Sequence, residues 1–272
     1  MTTTAGGQAV RRTANNRWAE RLTRLGLGAR GVLYIVIAIL AFRVALGHYE
    51  DNASQNGALQ EIASKPGGQI LVWIIAAGLI GYALWRLATA AFGAGVDPVA
   101  TDAKQRIKAL AEGIGYGAIA AVAVKVAAGS GSSSGGGGQK QTAMVLGWPG
   151  GQFLLGAVGV LAIGVGAYFI YDGIKADFTK ELTLGGQSAG TRKAVITLGR
   201  VGRVAHGVVF GIIGVLIIIA AVQYDPDQAK GVDGALKSLV GQPYGQVLLS
   251  IVALGLLAYG LYGLAEAKFR RV

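Results

Sequence analysis

Long apolar segments alternate with short polar ones along the chain, and six of the apolar segments are each about 20 residues long. They run over residues 25–46, 68–91, 108–128, 152–172, 201–222 and 246–266. A helix of that length and composition spans the hydrocarbon layer of a bilayer. A soluble protein could bury one such segment, but six of them in 272 residues leave no room for a soluble domain. The pattern therefore predicts an all-α membrane protein with six transmembrane helices.

A two-helix pattern occurs three times. The first helices share a glycine that follows an ionisable residue and precedes an aromatic residue by three positions: Gly31, Gly113 and Gly207. The second helices each begin at a Gly-Gln pair that ends in Gln69, Gln152 and Gln246. These landmarks define hairpin repeats over residues 25–93, 106–178 and 195–269, after a basic segment over residues 1–24. Because each hairpin crosses the membrane twice, all copies have one orientation, which predicts three tandem helical hairpins around a pseudo-threefold axis.

Charge placement predicts the topology. The 25 Lys and Arg residues outnumber 14 Asp and Glu, a balance that in a soluble protein would suggest a nucleic-acid partner. Here 19 of the basic residues lie in the termini and in the connections on one side, against four in the connections on the other side. By the positive-inside rule both termini are cytoplasmic. The charge then reflects topology and contact with anionic lipid headgroups, so we expect no nucleic-acid partner.

The basic segment over residues 1–24 has two interpretations. Trp18, Leu22 and Leu25 share one face at helical spacing, while arginines lie on the others, as in a short helix on an anionic membrane surface. The alternative is a solvated basic flank.

One repeat position carries three unlike ionisable residues: Arg30, Glu112 and His206. On a pseudo-threefold axis they would form an intramembrane ionisable cluster, of the kind that marks ion or proton pathways. The structural alternative places each about one turn inside the cytoplasmic boundary, where the side chains reach the headgroups or where Arg30 and Glu112 form a static ion pair.

Glycines at four-residue spacing predict close helix packing. The pairs are Gly113 with Gly117 and Gly207 with Gly211, one in each of two first helices. Small residues at this spacing let two membrane helices approach closely. We therefore interpret them as packing positions rather than as the lining of a pore.

Signatures of catalysis are lacking. The chain has no cysteine, which excludes disulfides and thiolate chemistry. The Gly- and Ser-rich tract over residues 129–138 lacks the Gly-Lys-Ser/Thr that ends a phosphate-binding loop, and Asp172 lacks the second intramembrane aspartate of an aspartyl protease. We therefore expect no catalytic residue, metal site or cofactor, and interpret the outer loops as spacers.

The repeated landmarks carry a resemblance. The opening Ala29-Arg30-Gly31-Val32-Leu33-Tyr34, the matching Gly113-Tyr116 and Gly207-Phe210, and the Gly-Gln before each second helix resemble a bacterial membrane family, domain of unknown function 1206. Its members are built from three two-helix units, and the resemblance extends from about Leu22 to Arg271. It implies a multi-pass protein of the bacterial plasma (inner) membrane and no particular activity.

We expect a non-enzymatic scaffold or accessory subunit that serves another membrane protein. The alternative is a small ion or solute channel or transporter in which Arg30, Glu112 and His206 line a path. A wet, polar axial cavity would favour the channel, whereas a dry axis closed by Gly, Ala and Leu would favour the scaffold.

Overall fold

The computed structural model describes residues 17–96, 102–130 and 137–270, and the described chain consists of helices joined by turns and short irregular segments. Six long helices are each apolar enough to cross a membrane, and a short helix precedes every second helix of a repeat. In chain order the helices are α1 (Arg17–Ala45), α2 (Gln55–Ala63), α3 (Gly68–Phe92), α4 (Ala103–Ala127), α5 (Gly137–Leu146), α6 (Gly151–Lys175), α7 (Ala189–Gln223), α8 (Val232–Val240) and α9 (Gly245–Phe269). The predicted all-α fold with six membrane helices is confirmed.

Two long helices extend beyond their predicted apolar segments. Helix α7 begins at Ala189, where the Ser188 side chain accepts a hydrogen bond from the Thr191 amide. Helix α1 begins at Arg17, so residues 17–24 form its first turns rather than a separate surface helix, and residues 1–16 lie outside the described chain. Polar helical turns can continue past the membrane boundary because the backbone hydrogen bonds remain satisfied within the helix.

The outer loops contain short helices, which the hydrophobic pattern did not predict; their interpretation as spacers stays a prediction. Helices α2, α5 and α8 occupy the same place in the three repeats, just before the second membrane helix. They bury apolar side chains, among them Leu59, Leu146 and Leu236. Residues 131–136 of the Gly- and Ser-rich tract lie outside the described chain.

The turn into each second helix explains the glycine of the recurring Gly-Gln pair. Gly67, Gly150 and Tyr244 have left-handed backbone conformations, with φ of 73°, 78° and 60°. The glycine that follows each of them approaches a carbonyl of the preceding short helix so closely that a methyl group would collide with it; these glycines are Gly68, Gly151 and Gly245. The third repeat thus places a tyrosine where the other two have glycine.

Tyr244→Gly is expected to stabilise the protein. A left-handed conformation costs a non-glycine residue roughly 1–2 kcal/mol, and the Tyr244 side chain is 85% exposed, so its removal loses little packing. We expect the unfolding midpoint in detergent to rise by a few degrees. The matched Gly245→Ala change should lower it, because its methyl group would meet the Val240 carbonyl. A midpoint that falls in Tyr244→Gly would contradict the strain argument.

The membrane helices pack most extensively between different repeats, the second helix of one against the first helix of another. These pairs are α3 with α4, α6 with α7, and α9 with α1, followed by α1 with α3 and α7 with α9. Within the described ranges, α4 and α6 make no extensive contact, although they are the two helices of repeat two. The helices therefore form an arc in the order α4, α3, α1, α9, α7, α6. The pseudo-threefold axis stays a prediction, because repeat two differs from the others.

The four predicted packing glycines fall into two classes. A methyl group at Gly207 would lie 2.5 Å from the Gly166 carbonyl oxygen, and one at Gly113 would lie 3.1 Å from the Leu87 amide. At Gly117 and Gly211 a methyl group would meet no atom within 4 Å. Gly113 and Gly207 therefore lie at close helix contacts, whereas the missing side chains of the other two point to open space.

Candidate functional site: a buried layer of ion pairs

One ion pair joins each pair of repeats, at the end of the bundle where the described chain begins and ends, and every pair is buried except for the partly exposed Glu112. Each links the second helix of one repeat to the first helix of the next. The pairs are Arg86 with Glu112, Asp172 with Arg203, and Glu266 with Arg30. The last pair closes the arc between α9 and α1, across 236 residues of sequence. Because unpaired charges in the apolar layer are costly, each pair favours this particular helix contact.

A further set of ion pairs connects two of these junctions. Arg270 contacts Glu266, and its Nη2 atom lies 3.0 Å from the Glu181 carboxylate. On the other side of Glu181, Lys108 lies 3.0 Å away, and the same Lys108 Nζ is 4.0 Å from Glu112. The charges thus alternate in sign from the α9–α1 junction to the α3–α4 junction. Glu181, in the loop after α6, pairs with both Arg270 and Lys108 and so links the two junctions.

The electrostatics of Glu181 are dominated by its partners. Burial disfavours its charged form, but Arg270 and Lys108 outweigh that effect and hold the pKa of Glu181 well below its usual range. The pKa of Arg270 is raised, because Glu181 and Glu266 outweigh the cost of its burial. Both groups are therefore charged at neutral pH.

Aromatic rings cover the arginines of this layer. The Arg86 and Arg270 guanidinium carbons lie 4.9 Å and 5.2 Å from the centre of the Trp85 ring, and that of Arg203 lies 5.4 Å from the centre of the Tyr262 ring. Trp85 and Tyr262 are buried. Cation–π contacts of this kind stabilise a desolvated guanidinium.

His206 lies apart from the ion pairs in an aromatic cage. Its ring stacks on Tyr259 with the centroids 4.4 Å apart, and the edges or faces of Tyr34, Phe169 and Phe210 lie around it at 4.8–5.1 Å. The Nδ1 atom is buried and has no hydrogen-bond partner in the described part of the chain. The ring therefore acts here as a packing element among aromatic side chains.

The predicted ionisable cluster is divided among three environments. Arg30 pairs with Glu266 and donates to the Tyr116 hydroxyl at 3.2 Å, whereas Glu112 pairs with Arg86. The suggested ion pair between Arg30 and Glu112 is therefore replaced by two pairs with other helices. Arg30 is only 6% exposed, so it is held inside the protein rather than in the headgroups.

Sequence reasoning missed the partners of these residues. Asp172 and Glu266 occupy the same position in their repeats. Each lies 20 residues after the glutamine of the Gly-Gln pair, Gln152 or Gln246. That coincidence was a usable signal. Arg203 was not detectable in this way, because it lies one turn before the slot occupied by His206 in its own repeat and has no charged counterpart in the others.

Comparison with known proteins identifies the family of this chain. A family model described as Domain of Unknown Function (DUF1206) matches the chain three times, over residues 25–93, 107–176 and 201–270. The chain belongs to this family. Every match covers the membrane-spanning parts of both long helices of one repeat, and each ion pair described above joins residues of two different matches.

A relative of the DUF1206 chain is known from Bacillus subtilis (strain 168). It is described as "Uncharacterized protein YxxB" and is 34% identical over 256 residues, which are 94% of this chain and 92% of the relative. No solved structure matches the chain. The family assignment and the repeat are thus established, and the relative's description adds no activity.

The chemical capacity of the buried layer is limited by its pairing. Its carboxylates are all held by arginine or lysine, so none is presented as a free base to a substrate. Among the described residues, no group of three or more His, Asp or Glu side chains could hold a metal ion. The arrangement is suited to fixing helices in place.

Proposed function

We propose that the protein is a non-enzymatic membrane scaffold or accessory subunit, which binds another membrane protein along the open side of its helix arc. The observation that carries the proposal is the separation of α4 from α6, because the corresponding helices of repeats one and three pack against each other. The partner's transmembrane helix would complete the arc at this place.

The open side is bounded by the two least buried membrane helices. In the most apolar stretch of each helix, only 22% of the residues of α4 and 17% of those of α6 are buried, against 61% for α1. The two helices are connected near the chain termini, where Lys108 of α4 reaches Glu181 after α6. Away from that connection, the membrane-spanning parts of α4 and α6 are open to contact with another helix.

Both helices carry glycines on the faces turned away from their packed neighbours. Gly115 lies about 200° around α4 from the packed Gly113, and Gly164 lies about 140° around α6 from the packed Gly159. A methyl group at either Gly115 or Gly164 would meet no atom within 4 Å. Small residues are enriched where membrane helices associate, so glycines without a partner in the chain support a contact with another protein.

The surroundings of His206 favour the scaffold over the channel or transporter. A conducting path through the slot of Arg30, Glu112 and His206 needs side chains that face water. Instead His206 is enclosed by aromatic rings, and the two charged residues are engaged in separate ion pairs. The cluster beyond them is apolar and includes Ile37, Ala41 and Leu256.

The proposed setting is the bacterial plasma membrane with both termini in the cytoplasm. The buried ion pairs, the basic start of α7 and the chain termini then share the cytoplasmic side. The uneven distribution of Lys and Arg supports this orientation.

Site-specific photocrosslinking in native membranes tests the proposal. A photoreactive amino acid at Ile114 of α4 or Leu161 of α6 should yield a discrete adduct with the same partner protein. Both side chains are exposed. The matched control is Leu84 of α3, which is 62% exposed on another face and should give no such adduct.

Two results would contradict the scaffold. One is an equal crosslinking pattern at Leu84 and at the α4 and α6 positions. The other is ion or solute flux across liposomes that contain the purified protein alone, which would support the channel instead.

A further inference from the structure

Two adjoining pockets on the outer surface of α7 differ sharply in character. The first is a groove of about 500 Å³ between α6, α7 and α9, lined by apolar residues that include Val204, Val208 and Ile251. The second is a pocket of about 540 Å³ beside the first turns of α7, and its lining includes Arg192 and Lys193. Arg200 lines both pockets. An apolar groove thus leads directly to a basic pocket.

The three cations of the basic pocket are available to a ligand. Arg192, Lys193 and Arg200 are exposed, and none forms an ion pair within the described part of the chain. By contrast, the arginines of the buried layer, such as Arg203 three residues further along α7, are paired with carboxylates. The unpaired charges therefore form a local excess of positive charge beside an apolar groove.

The groove is long enough to hold part of a lipid acyl chain. Arg200 and Val208 are eight residues apart on α7, which is about 12 Å along the helix axis. Gly173 and Gly255 line the groove, and both approach α7 closely. A hydrocarbon chain could lie in this length of groove while its headgroup remains at Arg200.

We propose that these pockets form a site for an anionic phospholipid, whose acyl chain lies in the groove and whose phosphate is bound by Arg192, Lys193 and Arg200. Basic pockets next to transmembrane helices recognise anionic headgroups through charge, and the apolar groove adds the burial of the chain. Charge complementarity distinguishes this occupant from a zwitterionic lipid, and the groove distinguishes it from free phosphate. The inference does not rest on the proposed function, because the open side between α4 and α6 is not part of the site.

Lipid binding by the purified full-length chain tests this site. Native mass spectrometry of delipidated protein in mild detergent should show preferential binding of phosphatidylglycerol over phosphatidylcholine. The variant Arg192→Gln/Lys193→Gln/Arg200→Gln should weaken phosphatidylglycerol binding on the order of 100-fold. Each basic residue near an anionic headgroup strengthens binding by roughly fivefold, and three such factors multiply. The variant Lys104→Gln/Lys175→Gln/Lys268→Gln removes the same charge from exposed positions outside the pockets and should retain binding.

Val208→Trp tests the groove separately, because it leaves the cations intact. Its larger side chain should fill the groove and weaken phosphatidylglycerol binding by about tenfold. Equal binding of the two lipids, or unchanged binding in the Arg192→Gln/Lys193→Gln/Arg200→Gln variant, would overturn the proposal. Displacement of the lipid by inorganic phosphate alone at similar concentration would also overturn it, since the groove would then contribute nothing.

Discussion

Glu266→Gln should lower the free energy of unfolding in detergent by about 3 kcal/mol or more, because it breaks a buried ion pair and leaves a charge behind. Glu266 is 1% exposed and contacts both Arg30 and Arg270. Arg270 keeps Glu181 as a partner, but Arg30 retains only a hydrogen bond to Tyr116 and contacts with aromatic rings. The junction between the last and the first helix therefore loses its charge compensation.

A double variant separates this effect from a loss of packing. Arg30→Met/Glu266→Gln removes both charges and keeps an apolar side chain of similar length, so it should recover most of the lost stability. The matched control is Glu61→Gln at a pair with Lys65 in which both side chains are accessible to solvent, 34% and 65% respectively, and it should cost less than about 1 kcal/mol. Equal losses in Glu61→Gln and Glu266→Gln, measured by denaturant titration, would show that the buried pair does not hold the junction.

Gly207→Ala should destabilise the protein by about 1–3 kcal/mol, whereas Gly211→Ala should be neutral or slightly stabilising. The two glycines lie one turn apart on α7. A methyl group at Gly207 would lie 2.5 Å from the Gly166 carbonyl oxygen and 3.0 Å from the Ile170 amide, so α6 and α7 would have to move apart. The same group at Gly211 would enter open space and would improve helix propensity.

The comparison is made on unfolding midpoints of the two purified variants under one detergent condition. Each variant adds a single methyl group to the same helix, so changes in expression or in micelle binding are closely matched. A lower midpoint in Gly211→Ala than in Gly207→Ala would contradict the assignment of the close contact to Gly207.

These variants also mark the limit of what helical spacing can predict. Gly207 and Gly211 are equivalent by spacing, since both belong to the same four-residue pattern. Close contacts with α6 recur seven residues apart on α7, at Gly207 beside Gly166 and at Gly214 beside Gly159. The missing side chain of Gly207 points at α6, whereas that of Gly211 points off this line of contact, because four residues turn a helix by about 400° and seven by about 700°. The same applies to Gly113 and Gly117 on α4.

The short outer helices show a second limit. Their sequences are brief and polar residues interrupt them, so the hydrophobic pattern alone indicated loops. Buried residues such as Leu59 and Leu236 obtain their partners from the ends of the membrane helices. The helical conformation of these segments is therefore stabilised by tertiary contacts rather than by local propensity.

The sequence by itself determined the six membrane spans, the three repeats and the family, because each of these is recorded in apolar length or in the spacing of residues along the chain. The tertiary structure alone decided which charges meet. Arg30, Glu112 and His206 share one repeat position, yet they contact Glu266, Arg86 and a cage of aromatic rings respectively. An ionisable side chain in the membrane takes the partner that a neighbouring helix presents at its depth and angle, and for Arg30 and Glu112 that helix belongs to another repeat.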